Sequence, residues 1–365
     1  MTFPLSRLGA MGLLAVALLA CNERDDPTSH ALTYTVSTLA GTGTAGFTNG
    51  AGSAAQFNGP NSVAVDAQGT VYVADINNNC IRKVTAAGVV STLAGTGTAG
   101  QTDGPGATAQ FFLPTGIAVD AQGTVYVADT NNNCIRTISP AGVVSTLAGA
   151  AGQGLQDGPA ATAKFWRPQG LALDQQGALY VADSNNNRIR KITAQGVVST
   201  VAGSGPADVK FVDENFADGP GNAALFYSPS GVAVNGQGAV YVADYRNNRI
   251  RSITPAGVVS TVAGGVAGYA DGDAAQAKLF LPTGVAVDAS GTLYVADWGN
   301  GCLRCISPAG QVSLFAGSST RLGFADGPVA SSLFSRSVGL AVNAAGTELY
   351  VADTNSHRIR KISGQ

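Results

Sequence analysis

Regularly spaced carboxylates and guanidinium groups are the clearest chemical feature of this sequence. The tripeptide Val-Ala-Asp occurs six times, and each of its aspartates is followed seven residues later by an arginine. Two uses are open: a ring of cations for an anionic ligand, or six repeated ion pairs or turn hydrogen bonds that orient the second and third strands. A feature found in every unit serves the fold more often than one ligand site, so we favour ion pairs. The pairs are Asp75–Arg82, Asp129–Arg136, Asp183–Arg190, Asp244–Arg251, Asp297–Arg304 and Asp353–Arg360.

A group of acids that we interpret as unrepeated lies in the longest interval between these tripeptides. It consists of Asp208, Asp213, Glu214 and Asp218. Because Ca²⁺ binds through six or more oxygen ligands, these carboxylates could supply part of a calcium site. Solvated loop charge explains the same residues, and we favour that explanation. The expectation is therefore no cofactor, with Ca²⁺ as the alternative.

Aromatic side chains break the repeat at three positions. The residue after Val-Ala-Asp is Ile, Thr or Ser in four units, but it is Tyr245 in the fourth unit and Trp298 in the fifth; Trp166 lies just before the third. Aromatic rings with a polar tip are frequent anchors in binding patches. The alternative is that these rings only pack into loops. The candidate ligand-binding residues are Trp166, Tyr245, Trp298, Asp208, Asp213 and Glu214.

The histidines and cysteines argue against a zinc site and against a catalytic triad. The two histidines are His30 and His357, and we expect His357 to be solvated in a turn. Zinc sites need clustered His and Cys ligands, and a serine–histidine–acid triad needs a histidine held beside the nucleophile. We predict no catalytic or metal-ligating residues. Four cysteines are predicted to be unpaired structural thiols: Cys80, Cys134, Cys302 and Cys305.

The elements that position these residues follow from the repeat itself. Successive Val-Ala-Asp tripeptides are 54, 54, 61, 53 and 56 residues apart. Within the second unit, turn signals separate four apolar or alternating runs: Gly116 to Val119, Val125 to Ala128, Cys134 to Ile138, and Val143 to Ala148. Four short antiparallel strands in each of six units predict an all-β fold, a six-bladed β-propeller.

The two ends of the chain predict how this ring closes. The sixth unit stops at Gly364-Gln365, just after its third strand, Arg358 to Ile362, whereas Thr35 to Gly41 is a copy of the fourth strand that precedes any first strand. We predict that the N-terminal strand completes the last blade and leaves no bare edge. The long loops, which join strands two to three and four to one, then share one face of the disc.

The loops between blades have a pattern of their own. We predict a short helical turn with Asp103 as its N-cap in the second unit. One phenylalanine in each such segment is predicted to pack into the core: Phe57, Phe111, Phe165, Phe226, Phe280 and Phe334.

The residue pattern of the repeat resembles that of a known family. The pattern P-x-G-(I/V/L)-A-V-D…Y-V-A-D-x-x-N-x-(R/C)-I-R is similar to the NHL repeat, over residues 34–365, with Ser62 in place of the first glycine. The resemblance implies a β-propeller. It does not choose an activity, because proteins with NHL-type repeats include scaffolds, RNA-binding proteins and a few metal-dependent lyases.

The first 33 residues are predicted to be a leader and a linker. Residues 1–20 combine Arg7 with an apolar run too short to cross a bilayer, and Leu18-Leu19-Ala20-Cys21 resembles the bacterial lipobox, whose cysteine is acylated. Residues 21–33 are polar and predicted to be a tether. We expect a lipid anchor on Cys21 in the cell envelope, outside the cytoplasm; Asn22 suggests the outer membrane in a diderm bacterium.

Charge and composition narrow the function. The formal net charge is −2 and the charged fraction is 12%, without the basic excess of a nucleic-acid-binding protein. We therefore predict a monomeric, lipid-anchored scaffold that binds a protein or a small-molecule or carbohydrate ligand, and we favour a binding protein over an enzyme. The alternative is a Ca²⁺-dependent hydrolase or lyase similar to a lactonase.

Overall fold

The fold is a closed ring of six antiparallel sheets in a computed structural model that describes residues 33–205 and 216–364. Each sheet is one blade, and its first strand faces the central axis. The inner strands are Pro60–Val65, Pro114–Val119, Pro168–Leu173, Pro229–Val234, Pro282–Val287 and Leu340–Val342. The prediction of a six-bladed β-propeller is confirmed.

Second and third strands carry the repeated ion pairs. The second strands end at the Val-Ala-Asp aspartates: Val71–Asp75, Val125–Asp129, Leu179–Asp183, Val240–Asp244, Leu293–Asp297 and Glu348–Asp353. They are rich in Val, Leu and Tyr, the residues that favour a strand buried on both faces. The third strands are Cys80–Val84, Cys134–Ile138, Arg188–Ile192, Arg249–Ile253, Cys302–Ile306 and Arg358–Gly364.

The fourth strands form the outer part of each blade. They are Val90–Ala94, Val143–Ala148, Val197–Ala202, Val258–Gly264 and Gln311–Gly317, with Tyr34–Ala40 as the fourth strand of the sixth blade. In five sheets a two-residue strand, which the sequence did not predict, pairs outside the fourth: Gly104–Pro105, Gly158–Pro159, Gly219–Pro220, Gly272–Asp273 and Gly327–Pro328.

The N-terminal strand closes the ring as predicted. Tyr34–Ala40, called the closing strand below, pairs antiparallel with Arg358–Gly364, and Val36 faces Ile362. On its other side the closing strand pairs with Gly327–Pro328. Tyr34 and Val36 are buried in the core between blades five and six. Both sides of the closing strand are therefore occupied by chain from the C-terminal end.

The apolar core lies between blades rather than within them. Six clusters of buried side chains each combine residues of two adjacent blades; one, for example, joins Ala128 and Ile135 of blade two to Phe165 and Val181 of blade three. A single blade cannot bury its faces alone, so each blade depends on both neighbours. Within the described residues, no helix is long and apolar enough to span a membrane.

Candidate binding cavity

Every Val-Ala-Asp aspartate is fully buried and ion-paired with the arginine seven residues later. In blade three, Asp183 Oδ2 accepts hydrogen bonds from Arg190 Nη1 at 2.7 Å and from Asn186 Nδ2 at 2.8 Å, and Oδ1 accepts one from the Trp166 backbone N–H at 2.8 Å. Neither Asp183 nor Arg190 is exposed to solvent. The prediction of structural ion pairs is confirmed, and these arginines are not available to a ligand.

The same arginines also fix the loops that enter each blade. Arg190 Nη1 and Nη2 donate to the carbonyl oxygens of Lys164 and Gln156, and Nη2 donates to Asp157 Oδ1 at 2.5 Å. Asp157 in turn accepts the Thr200 backbone N–H at 3.0 Å. The Arg190 guanidinium group thus bonds directly to the second strand and to the incoming loop, and through Asp157 it is connected to the fourth strand.

This arrangement corrects the predicted helix cap. Asp103, the counterpart of Asp157 in blade two, accepts hydrogen bonds from Arg136 and from the Thr146 backbone N–H instead of capping a helical turn. The turn that follows begins at Pro105, whose carbonyl oxygen accepts the N–H groups of Thr108 and Ala109. The Asp103 carboxylate is hydrogen-bonded to Arg136, which lies 33 residues later in the sequence.

Asp218 belongs to the same repeated set, so its assignment to an unrepeated acidic group was wrong. Its Oδ1 accepts hydrogen bonds from Arg251 Nη2 at 2.6 Å and Nε at 3.1 Å. Partial burial alone would raise the pKa of Asp218, but the hydrogen bonds from Arg251 and Thr261 outweigh it and hold the pKa below its usual range. Three acids of that group, Asp208, Asp213 and Glu214, lie outside the described residues.

No group of three or more His, Cys, Asp or Glu side chains within residues 33–205 and 216–364 is arranged to hold a metal ion. Cys80, Cys134 and Cys302 are free, buried thiols, as predicted. Burial raises the pKa of Cys134 and Cys302 to about 12, which keeps both thiols protonated and unreactive. Cys305 is fully buried on the third strand of blade five.

His357 links the last blade to the first instead of standing free in solvent. Its Nδ1 accepts the Gly59 backbone N–H at 3.0 Å. The side-chain oxygens of Asn79, Asn133, Asn187 and Asn248 accept the corresponding N–H of the next blade in the same way. His357 therefore has a place in the ring of contacts between blades.

One cavity opens on the face that carries the long loops, as the loop lengths predicted. Its volume is about 530 Å³, within the range of pockets for small molecules. It lies over the mouth of the narrow central channel, and four residues of the inner strands line both spaces: Asn61, Gln169, Ser230 and Thr283. Loops of blades three to five provide most of the remaining wall.

Two of the three aromatic candidates meet in this cavity. The rings of Tyr245 and Trp298 pack edge to face, with centroids 6.4 Å apart, and both side chains are half-buried. Trp166 is half-buried but is not among the cavity-lining residues; the next residue, Arg167, is. The structure therefore brings together Tyr245 and Trp298 but not Trp166.

The contact between blades at the position of Tyr245 differs around the ring. At the position of Tyr245, Thr130 of blade two donates to the Pro168 carbonyl oxygen at 2.7 Å, and Thr354 of blade six donates to Pro60 at 2.8 Å. Tyr245 and Trp298 cannot make this short contact with the backbone of the following blade because their hydroxyl and N–H groups lie at the ends of long rings. Their rings form part of the cavity wall instead.

Sequence reasoning missed several lining residues. Tyr227 lies under Arg246, whose guanidinium carbon is 5.3 Å from the ring centroid. Arg167 and Ser228 occupy the residue before proline, with φ near 50°, a position also held by Leu113 and Leu281 in other blades. The sequence did offer one indication of these lining residues. The position before the proline varies between apolar, polar and cationic residues, although its backbone conformation is the same in these blades.

The phenylalanine positions are correct in five blades and wrong in one. Phe57, Phe111, Phe165, Phe226 and Phe334 are buried between blades. In blade five the buried residue is Leu279, whereas Phe280 is 39% exposed. Two adjacent apolar residues, Leu279 and Phe280, made the register ambiguous, and the leucine fills the core position.

Comparison with protein families gives a match to the NHL repeat at five places: residues 57–84, 113–138, 165–192, 226–251 and 281–306. These are the first five blades. Among curated proteins, SUPPRESSOR OF QUENCHING 1, chloroplastic, of Arabidopsis thaliana is 31% identical over 294 residues, which cover 73% of this chain and 27% of that protein. NHL repeat-containing protein 2 of Bos taurus is 27% identical over 340 residues, which cover 82% of this chain and 46% of that protein. The chain therefore spans less than half the length of these relatives.

Solved structures share the fold at low identity. An auxiliary nutrient binding protein from Bacteroides ovatus superposes with a TM-score of 0.66 at 17% identity, covering 92% of this chain and 77% of the other. A gluconolactonase from Xanthomonas campestris superposes with a TM-score of 0.57 at 15% identity, covering 90% and 89%. The same architecture thus carries binding and enzymatic functions.

Proposed function

The chain is an NHL-repeat β-propeller of six blades, and from that premise we propose that it is a lipid-anchored binding protein whose ligand occupies the cavity at blades three to five. One observation carries the proposal: the edge-to-face pair of Tyr245 and Trp298 lies in the wall of an open cavity of about 530 Å³. Half-buried aromatic rings at the edge of a cavity can stack on a ligand without losing their own packing.

The chemistry of the described wall favours binding over calcium-dependent hydrolysis. Among the described lining residues there is no carboxylate, and the polar groups are amides, hydroxyls and guanidinium groups. Amide and hydroxyl groups can orient a ligand, but a calcium-dependent reaction needs a set of oxygen ligands that includes carboxylates. A nutrient binding protein among the structural neighbours supports the same choice. The likeness to a gluconolactonase keeps a hydrolase as the second candidate.

Alanine at both Tyr245 and Trp298 is expected to abolish ligand binding, because the double variant removes the two rings that form the aromatic wall. The measurement is retention of envelope components on the immobilised protein, with bound material identified by mass spectrometry. The melting temperature should fall by only a few degrees, since both rings are half-buried at the rim of the cavity.

Phe112→Ala is the matched control for this experiment. Phe112 is an exposed aromatic residue (38%) in a loop of blade two and does not line the cavity. Its replacement should leave retention unchanged. Unchanged binding by the double variant, or a loss of fold in it, would show that Tyr245 and Trp298 pack loops and do not contact a ligand.

Lipid anchoring rests on Cys21 and has its own test. We expect the full chain expressed in a bacterial host to incorporate radiolabelled palmitate and to sediment with membranes. Cys21→Ser should remove both properties, because serine offers no thiol for acylation. Cys80→Ser serves as the control, since Cys80 is a buried thiol of blade one. Equal labelling of the Cys21→Ser chain would exclude the anchor.

A further inference from the structure

The described wall of the cavity carries two guanidinium groups, although the protein as a whole has a negative net charge. Its described lining includes Arg167 and Arg246, and the other described lining residues are neutral. The formal net charge of the chain is −2. Guanidinium groups in a cavity can attract an anion even when the net charge of the protein is negative.

Three described carboxylates close to the cavity in sequence do not offset the charge of these guanidinium groups. Asp183, Asp244 and Asp297 directly precede the lining residues Ser184, Tyr245 and Trp298. All three aspartates have no exposed side-chain surface, and each is ion-paired with its own buried arginine. Their negative charge is neutralised beneath the cavity floor and does not reach a ligand.

Arg167 is the guanidinium best placed to meet an anion. Its backbone is held by a hydrogen bond from its N–H to Asn133 Oδ1 at 2.8 Å, and its side chain is exposed. No carboxylate of the described residues lies within ion-pair distance of it. Arg336 holds the same backbone position in blade six, and its guanidinium carbon lies 4.5 Å from the centroid of the Trp298 ring.

Neutral polar groups complete the wall. Gln169, Ser230 and Thr283 follow the first residue of three inner strands and line the channel mouth with an amide and two hydroxyls. Ser230 Oγ already donates to the Thr283 carbonyl oxygen at 2.8 Å, so it can meet a ligand as an acceptor. Such groups pair with the hydroxyls of a polyhydroxylated ring, whereas the aromatic pair offers a face for its apolar side. Guanidinium groups bind carboxylate and phosphate through two parallel hydrogen bonds.

We propose that the ligand is an anionic saccharide, with its sugar ring against Tyr245 and Trp298 and its carboxylate or phosphate group on Arg167. This assignment rests on the proposed function, because it names the ligand class of the same cavity. The volume of about 530 Å³ suits a ligand of one to a few sugar rings.

The test is isothermal titration of the full chain in a mild detergent with matched charged and neutral sugars. Trigalacturonate is compared with its fully methyl-esterified form, and glucose 1-phosphate with glucose, so that the two arms separate a carboxylate from a phosphate. We expect at least one anionic member to bind about tenfold or more tightly than its neutral partner. The difference should shrink as salt is raised, since an exposed guanidinium is screened.

Variants assign the preference to a residue. Arg167→Gln should reduce the affinity for the anion to that for the neutral sugar without lowering the melting temperature, because glutamine keeps the backbone N–H that bonds Asn133. Arg321→Gln, which changes an exposed arginine outside the cavity, should leave the affinity unchanged. Tyr245→Ala with Trp298→Ala should remove binding of charged and neutral sugars alike.

Each contrary result has one meaning. Equal affinity for charged and neutral sugars, or an anion preference that survives Arg167→Gln, overturns the anionic ligand and leaves a binding propeller in place. No binding of any of the four sugars also overturns the saccharide. If, in addition, nothing retained from envelope extract depends on Tyr245 and Trp298, the proposed function fails as well.

Discussion

Replacing Arg190 by methionine is expected to lower the free energy of unfolding by about 3–5 kcal/mol. The side chain has no exposed surface and donates to Asp183, Asp157 and two backbone carbonyls. Methionine of similar length leaves the Asp183 carboxylate buried without a counter-charge, which is the costly state. Urea denaturation of the purified protein measures the change.

The adjacent residue provides the matched control. Lys191 lies on the same strand and pairs with Asp174 at 3.3 Å, but its side chain is 32% exposed. Solvent reaches the lysine of this pair, and Asp174, although only 5% exposed, keeps two backbone N–H donors, so Lys191→Met should cost only about 1 kcal/mol. A double variant, Asp183→Asn with Arg190→Met, should recover part of the loss because no buried charge is left alone. Equal effects of Arg190→Met and Lys191→Met would contradict a structural role for the buried pair.

The loss caused by Arg190→Met should depend on pH. Burial raises the pKa of Asp183 to about 6, and the ion pair with Arg190 opposes that rise. Without the arginine the folded-state pKa rises further above the unfolded value near 3.9. Between those two values the native state keeps a proton that the unfolded state has lost, so stability falls as the pH increases. The destabilisation is therefore expected to be larger at pH 8 than at pH 5.

Removing the closing strand, Tyr34–Ala40, is expected to abolish cooperative folding. Tyr34, Val36 and Ala40 are buried, and the strand pairs on both sides. Burial of the large side chains alone contributes about 1.5–3 kcal/mol each, a substantial part of the roughly 5–15 kcal/mol that stabilises a typical domain. The bare edge of Arg358–Gly364 would also favour aggregation. Thermal unfolding followed by circular dichroism reports the outcome.

A permuted chain tests whether the position of the strand or its sequence matters. Tyr34 lies opposite Gly364 in the antiparallel pair, so a tight turn can join the end of the last strand to the start of the closing strand. The turn Ser139–Gly142 of blade two makes the same connection between third and fourth strands. A chain that begins at Thr42 and carries this turn and residues 34–41 after Gly364 should regain the wild-type melting temperature. A truncated chain that unfolds at the wild-type temperature without this addition would show that the ring does not need the strand.

The sequence predicted those features that depend on repetition. The six Val-Ala-Asp motifs and the split between Thr35 to Gly41 and the incomplete last unit were sufficient to predict blade number and closure. It also predicted the structural role of the aspartate–arginine pairs, because a feature found in every unit serves the fold more often than a single ligand site; their complete burial was not predicted. By contrast, Asp103 and Asp218 were misinterpreted, since their partners Arg136 and Arg251 lie 33 residues further along the chain.

The cavity was predicted only in part. Tyr245 and Trp298 were visible as breaks in the repeat. Arg167 and Tyr227 were not, because the positions just before the proline vary in every blade and no local pattern marks which of them line a cavity. Their role depends on which loops of the neighbouring blades meet at the mouth of the central channel, and that is a property of the assembled ring.

The most direct test of ligand binding at blades three to five uses tryptophan fluorescence. The chain has two tryptophans, so Trp166→Phe leaves Trp298 as the sole reporter in the cavity, and Trp298→Phe leaves Trp166 outside it. Both variants are titrated with the tightest-binding sugar or envelope component. A saturable change in emission from Trp298, with none from Trp166, is the predicted result. Binding detected by calorimetry while the emission of Trp298 stays constant would place the ligand elsewhere and contradict the account.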